Sequence, residues 1–348
     1  MSNSTLTPPG GAGSTAASGG GGAGRARGRV PAPPVTSQET VLIVVIALLW
    51  LVLSLTTPAF FTAGSIVPLL VATTPIALIG VGMTIVIITG GIDVSVGSIV
   101  MVASVITAQT MVDSGLPLVL AVPLSIAVGG VLGLVNGVLI AYGRVHAIII
   151  TFGTLNLFRF IGLQIFGSST VEGIPRTLAF FGRGDAGRTL GVPHAFLITI
   201  VIAALAWWYL RHTAGGRHFY AVGGDANAAR LAGVAVRARV LSAYVVTGLL
   251  AGLAACFVLA QGTSSLAANV GSGLELAVIA AVVIGGTSIT GGRGSVLGTV
   301  LGALLVQTVA TGVTQLAWPT QLSSLFVGVF IIVAVGADLL RERTRSAS

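Results

Sequence analysis

The sequence predicts an all-α membrane protein of about ten transmembrane helices with broken or re-entrant segments. Three observations predict it. Of 348 residues, 54% are hydrophobic and only 7% are charged, and the mean hydropathy is +1.02; an average soluble domain carries about a quarter charged residues. No charged residue occurs between Thr40 and Ile92, and charge-free stretches recur at 114–143, 189–210, 240–274, 276–292 and 294–337. Forty-nine glycines punctuate these runs. Hydrocarbon offers no water to backbone polar groups, so each run must be helix or loop buried in protein.

Residues 1–38 are rich in Gly, Ala, Ser, Thr and Pro and read as a disordered tail ending in Arg25, Arg27 and Arg29. The transmembrane domain is expected over 39–340, with a short tail at 341–348. Allowing about twenty residues per span, and taking Gly, Pro and Arg as breaks, the spans fall near 41–61, 66–89, 96–112, 117–142, 147–168, 193–210, 240–261, 273–290, 295–312 and 322–340. The run at 41–61 lacks a clear small-x-small cleavage site, which argues against a cleaved signal peptide.

Arginine placement supports this count. With the N-terminus inside, thirteen arginines fall in inner loops, and three, Arg176, Arg183 and Arg188, in outer ones. That is the positive-inside bias, with both termini in the cytoplasm. Trp207 and Trp208 beside Arg211 suit an interfacial anchor. Gly129, Gly133 and Gly137, then Gly294, Gly298 and Gly302, and Gly248 with Gly252, repeat four apart. Such stripes let helices approach closely.

All seventeen basic residues are arginine. The absence of lysine excludes a Walker A loop, a Schiff-base lysine and a lysine base, so any ATP must be bound by another chain. The lone Cys256 excludes an internal disulfide and a cysteine metal cluster, and its apolar surroundings point to inert packing. His146, His194, His212 and His218 are scattered with no H-E-x-x-H, which argues against a membrane-embedded metalloenzyme.

Four segments interrupt the apolar pattern. In ITGGIDVSVGS (88–98), Gly90 and Gly91 can break a helix at membrane depth, and Ser95 and Ser98 offer a start for the next. Two readings stay open there: a re-entrant turn lining a path, or an inward loop whose Asp93 caps a helix. In HFYAVGGDANAARLAGV (218–234), residues 225–232 read as a short helix with Asp225 as N-cap and Gly233 as stop. It suits docking into a groove of a soluble partner, or lying on lipid. In 271–295, Glu275 begins a span and Gly285 to Gly294 form a glycine-dense turn. Its GGRG run lacks the lysine and preceding strand of a phosphate loop, and Arg293 reads as an inside-positive charge or a contact to a partner or headgroup. In 142–159, Arg144 and His146 join two spans. Arg159 lies within a span and needs a partner such as Glu172, Asp113 or a carbonyl cluster, unless it snorkels to headgroups.

At GGIDVSVGS (90–98), NGVLIAYGRVHAIIITFGTL (136–155), YAVGGDANAARLAGV (220–234) and ELAVIAAVVIGGTSITGGRGSVLGTVLGALL (275–305), the chain resembles the membrane permease subunit of bacterial ABC sugar importers of the ribose, xylose, arabinose and galactose type. The resemblance spans roughly 40–340. It departs from the common pattern at Asp225-Ala226-Asn227, at Ala277 and at Thr311. It implies the ABC importer permease fold, alternating access and a localisation in the bacterial cytoplasmic membrane. The implied partners are a second permease copy (homodimer or pseudo-dimer), a cytoplasmic ATPase carrying ATP and Mg, and an extracytoplasmic sugar-binding protein; no nucleic acid is expected. No cofactor or catalytic residue is expected on this chain. The resemblance makes 219–239 the coupling loop, with Gly223, Gly224, Asp225, Ala228, Ala229, Arg230, Leu231 and Gly233 meeting the ATPase. Asp93, Ser95, Asn136, Thr151, Glu275, Thr287 and Ser288 are the candidates for the translocation path. The alternative is an ion-coupled secondary transporter of a small neutral solute, for which only Asp93 and Glu275 are placed to titrate near the midplane.

Overall fold

The computed structural model describes residues 37–143, 145–167, 170–182, 184–262 and 264–346. The tail expected at 1–38 lies outside them except for its last two residues, and Arg144 and Arg183 lie outside them too. Twelve α-helices and four short strands follow one another: α1 (Ser37–Thr56), α2 (Ala63–Ile88), α3 (Val96–Asp113), α4 (Leu118–Gly143), α5 (Ala147–Phe166), β1 (Thr170–Glu172), β2 (Arg188–Thr189), β3 (Val192–Pro193), α6 (His194–His212), α7 (Ala214–Gly224), α8 (Ala226–Leu231), α9 (Val236–Gln261), β4 (Ser265–Ala267), α10 (Leu274–Ile284), α11 (Val296–Gln315) and α12 (Gln321–Ser346). Two 3-10 turns occupy Arg176–Phe181 and Asp185–Gly187.

Among the described residues, eight helices are long and apolar enough to cross a membrane: α1 to α6, α9 and α11. The apolar part of α12 and the short α10 complete the ten expected segments. The expected span 273–290 is the one that changes character. Its helix has 11 residues, about 16 Å at 1.5 Å per residue, half a bilayer. Glycines set both limits: Gly271 and Gly273 hold φ of +77° and +79° before it, and Gly286 holds +93° after it.

The apolar α2 is hydrophobic all round and is accordingly the buried axis. Helices α9, α10, α11 and α6 pack on it, while α5 lies on α3 and α12 on α10 and α11. Pro75 inside α2 lacks the N–H that would bond the carbonyl of Val71. Gln261 at the end of α9 supplies the missing donor, with Nε2 3.1 Å from that oxygen.

The glycine stripes do what their spacing predicts. A Cβ on Gly133 of α4 would lie 2.5 Å from the Tyr244 carbonyl and 2.9 Å from Gly248 Cα, both on α9. Gly129 meets Gly248 and Gly252, and Ser125 Oγ donates to the Gly252 carbonyl at 2.6 Å. Gly298 and Gly302 of α11 likewise press on the backbone of Gly285 and Ala281. Between helices already immersed in lipid, close packing rather than water exclusion holds them together.

Strand β1 pairs with β4 and β2 with β3, both antiparallel. Chain connectivity puts them at one end of the bundle, where α5 and α9 finish, and puts α7 and α8 at the other, where α6 finishes. We call these the strand end and the helical end.

Candidate functional site

At the helical end, α6 turns into α7 through Thr213, whose Oγ1 accepts from Gly216 N at 2.9 Å. The helix α7 was not expected from the sequence: AGGRHFYAVGG holds four glycines, each costing about 1 kcal/mol in a helix interior. Packing overrides that propensity. Phe219 and Val222 are buried, and Arg239 sits 5.8 Å over the Phe219 ring. Burial pushes the Tyr220 phenol above its ordinary range, against the opposing charge of Arg211. The protonated Oη donates to the Gly294 carbonyl at 3.3 Å.

The short helix α8 forms as its caps dictate. Asp225 Oδ1 accepts from Asn227 N at 2.8 Å and Ala228 N at 3.0 Å, and Gly233 stops the helix with φ +83°. Arg230 Nη2 donates to Asn227 Oδ1 at 3.0 Å, holding the guanidinium along the exposed face. Ala229 is buried, Ala228 is exposed, and Leu231 is 90% exposed. Beside α8 lies a groove of 620 Å³ lined by Tyr142, Asn227, Arg230, Val236 and Arg237. The arrangement presents one bare leucine and one ordered cation on a capped helix.

Three glycine pairs meet just behind it. Gly292 N donates to the Ile88 carbonyl at 2.9 Å, joining the turn after α10 to the end of α2. Gly223 lies in the same contact: a Cβ there would collide with the Ile88 carbonyl and stand 2.6 Å from Gly292 N. A Cβ on Gly291 would be 3.0 Å from the Gly223 carbonyl and 3.1 Å from Gly90 N. Gly224, next to the N-cap of α8, has nothing within 4 Å of its Cβ position. Backbone thus touches backbone where α7, α2 and the α10–α11 turn converge. The paired spelling of GG at 90–91, 223–224 and 291–292 was visible in the sequence, but their meeting was not.

The loop between α2 and α3 is clamped from three sides. Asp93 Oδ1 accepts from Ser95 N at 2.9 Å and Ser95 Oγ at 2.6 Å. Asn136 Nδ2 of α4 donates to Ser95 Oγ at 2.7 Å, and Thr151 Oγ1 of α5 to the Ile92 carbonyl at 3.2 Å. Ser95 is the N-cap residue of α3 but makes no side-chain cap bond, and Ser98 Oγ reaches the Leu155 carbonyl at 2.8 Å instead of capping. Asp93 Oδ2, Asn136 Oδ1 and Tyr244 Oη are buried with no hydrogen-bond partner.

Of the seven residues expected along a path, the structure brings Asp93, Ser95, Asn136 and Thr151 together and buries all four at 0% exposure. Thr287 and Ser288, in the α10–α11 turn, are 2% exposed. Ser288 Oγ shares a 3.0 Å hydrogen bond with Thr290 Oγ1. Glu275 alone is half-buried, at the start of α10, with its carboxylate against Gly97 of α3.

Other polar contacts escaped sequence reasoning. Gln38, assigned to the tail, is in α1, and its Nε2 donates to the Ile284 carbonyl at 3.3 Å, covering the end of α10. Buried Glu39 accepts from Ser295 Oγ, the N-cap residue of α11. Arg159 bonds neither Glu172 nor Asp113; its Nη2 donates to Ser272 Oγ at 2.6 Å. No sequence spacing links residues 113 positions apart. Among the described residues, no group of histidine, cysteine or carboxylates is gathered to hold a metal.

Residues 65–335 match the family model described as branched-chain amino acid transport system / permease component. The chain belongs to this permease family. The ribose import permease protein RbsC of Escherichia coli strain K12 is 38% identical over 84% of this chain and 92% of its own. The fructose import permease protein FrcC of Rhizobium meliloti is 34% identical, over 80% and 79%. The D-allose transport system permease protein AlsC of E. coli K12 is 33% identical, over 82% and 87%. No solved structure matches. This permease is therefore a multi-pass membrane protein and a permease component of the ABC sugar importer type, a transport subunit rather than an enzyme. The resemblance first carried by 90–98, 136–155, 220–234 and 275–305 is matched over residues 65–335.

Proposed function

We propose that this permease is the membrane subunit of an ATP-driven monosaccharide importer in a bacterial cytoplasmic membrane, acting by alternating access as one of two copies. The ribose, fructose and allose permeases to which it is similar support the sugar class. In this reading the helical end faces the cytoplasm, as the thirteen arginines ask. A sugar-binding protein delivers solute at the strand end. ATP and Mg belong to a separate subunit, because a chain without lysine has no Walker A loop.

The observation that carries the coupling is the bare α8 tied to the glycine junction. Leu231 is bare and Arg230 is exposed and ordered by Asn227 on a capped helix, the kind of short helix that seats in a groove on a partner. Two residues upstream of its cap, at Gly223, backbone contacts run to α2 and to the α10–α11 turn. Motion of the docked helix passes through those contacts into both broken loops. A neutral sugar needs hydrogen bonds and little fixed charge, which agrees with the few acids of the spans.

The test is reconstitution in proteoliposomes with a cognate ABC ATPase and a cognate sugar-binding protein. Arg230→Glu combined with Leu231→Asp is expected to abolish ATP-driven uptake while the bundle folds at normal yield. Unchanged uptake in that variant removes α8 as the transmission point. Uptake that survives ATP removal and collapses with an ion gradient replaces the whole reading with ion-coupled transport.

A further inference from the structure

Most helices that expose a face expose an apolar one. On α1 the outward residues include Val44, Leu48, Leu51 and Leu55; on α4 they are Val131, Leu134, Val135, Val138 and Leu139; on α6, Leu197, Val201 and Leu205. These faces suit lipid. Helix α5 exposes apolar residues too, among them Ile149, Phe152, Phe160 and Leu163, but it adds the exposed Asn156 and Gln164 and the partly buried Arg159. Arg159 stands twelve residues from one end of α5 and seven from the other, about 18 Å and about 10 Å along the axis. Its Nη2 is held by Ser272 Oγ at 2.6 Å.

Ser272, its partner, belongs to a second anomaly. From β4 the chain runs back into the bundle without helix until Gly271 touches the backbone of Gly97, in the first turn of α3. Only there does α10 begin. Ser272 and Gly273 are exposed. Non-helical backbone at membrane depth is tolerated where protein buries it or where it lines a water-filled cavity. Within the single chain, Ser272 and Gly273 are left uncovered. A charged side chain in a span obeys the same rule.

We infer that Arg159, Asn156, Ser272 and Glu275 form a polar step on the wall of the translocation path, where the hydroxyls of a neutral sugar are handed on. The inference rests on the sugar-permease reading and gives that reading its contact residues. The buried set around Asp93 shapes the loop behind this wall and does not meet solute in this conformation. The chemistry fits a polyol: a sugar hydroxyl both donates and accepts, Arg159 offers only donors, the Glu275 carboxylate only acceptors, and Asn156 and Ser272 both.

The lone cysteine makes the test direct. In a Cys256→Ala background, Asn156→Cys and Ser272→Cys are placed in the reconstituted complex and treated with a charged, membrane-impermeant methanethiosulfonate. Leu134→Cys is the lipid-facing control. A thiol in hydrocarbon does not ionise, so Asn156→Cys and Ser272→Cys are expected to react about tenfold faster than the control or more. Equal, slow reaction at all three overturns the inference. In a second arm, Arg159→Gln is expected to cut ATP-driven uptake of ribose, fructose or allose about tenfold or more, because a hydrogen bond to a charged donor is lost. ATPase binding and protein yield should stay as in the parent. Normal uptake by Arg159→Gln overturns its contact with sugar. Fast labelling at both sites, with no uptake of any of the three sugars by the parent protein, upholds the aqueous wall and overturns the sugar reading beneath it.

Discussion

Gly223 and Gly224 are chemically identical neighbours with opposite surroundings. A methyl on Gly223 would strike the Ile88 carbonyl, whereas one on Gly224 would meet nothing within 4 Å. Gly223→Ala is therefore expected to part α7 from the end of α2 and to abolish transport while the ATPase still binds. Gly224→Ala should transport close to normally, and uptake assays on the pair separate the two outcomes. Gln261 gives a stability test at the same scale. Its amide satisfies the Val71 carbonyl that Pro75 leaves bare. Gln261→Ala should destabilise the protein by about 1–3 kcal/mol, the cost of an unpaired buried carbonyl, read as a lower Tm in detergent. Asp225 was legible as a cap and Gly233 as a stop because capping is local, decided within four residues. Glu39 with Ser295 was not, because the partners are 256 positions apart.

Helix pairs decide the next scale. The α4–α9 contact is backbone against backbone at Gly129, Gly133, Gly248 and Gly252. Gly133→Leu cannot be absorbed by side-chain movement, since the obstructing atoms are the Tyr244 carbonyl and Gly248 Cα. Overpacking usually costs about 1–3 kcal/mol, and a rigid backbone contact belongs at the upper end. Membrane yield and thermal stability should both fall, and normal values for both would refute the packing claim. The four-residue repeat announced this contact in the sequence, although not which stripes would meet. Helix α7 shows the opposite case. Its four glycines argue against a helix, and it forms because Phe219 and Val222 have a place to bury.

At the scale of the molecule, the described residues give eight long apolar helices, a half-length α10 and a capped short helix at one end, which the proposed function reads as a conduit without a motor. The permease purified alone into lipid vesicles should move no sugar when ATP is added, whereas the complex with its ATPase and binding protein should. Solute pumping by the isolated chain would sink that view. Hydropathy, glycine spacing, arginine bias and the missing lysine determined the membrane class, the spans and the short capped helix. Each is a property of composition or of neighbours within a turn or two, and lipid enforces it strongly. Only the tertiary structure decided which polar groups are covered and which face open space. Asp93 and Arg159 look equally conspicuous in an apolar sequence. One is enclosed by Ser95, Asn136 and Thr151 from three different elements, and the other is only partly buried and bonds the exposed Ser272. Burial is set by chain segments distant in sequence, so no local pattern reports it.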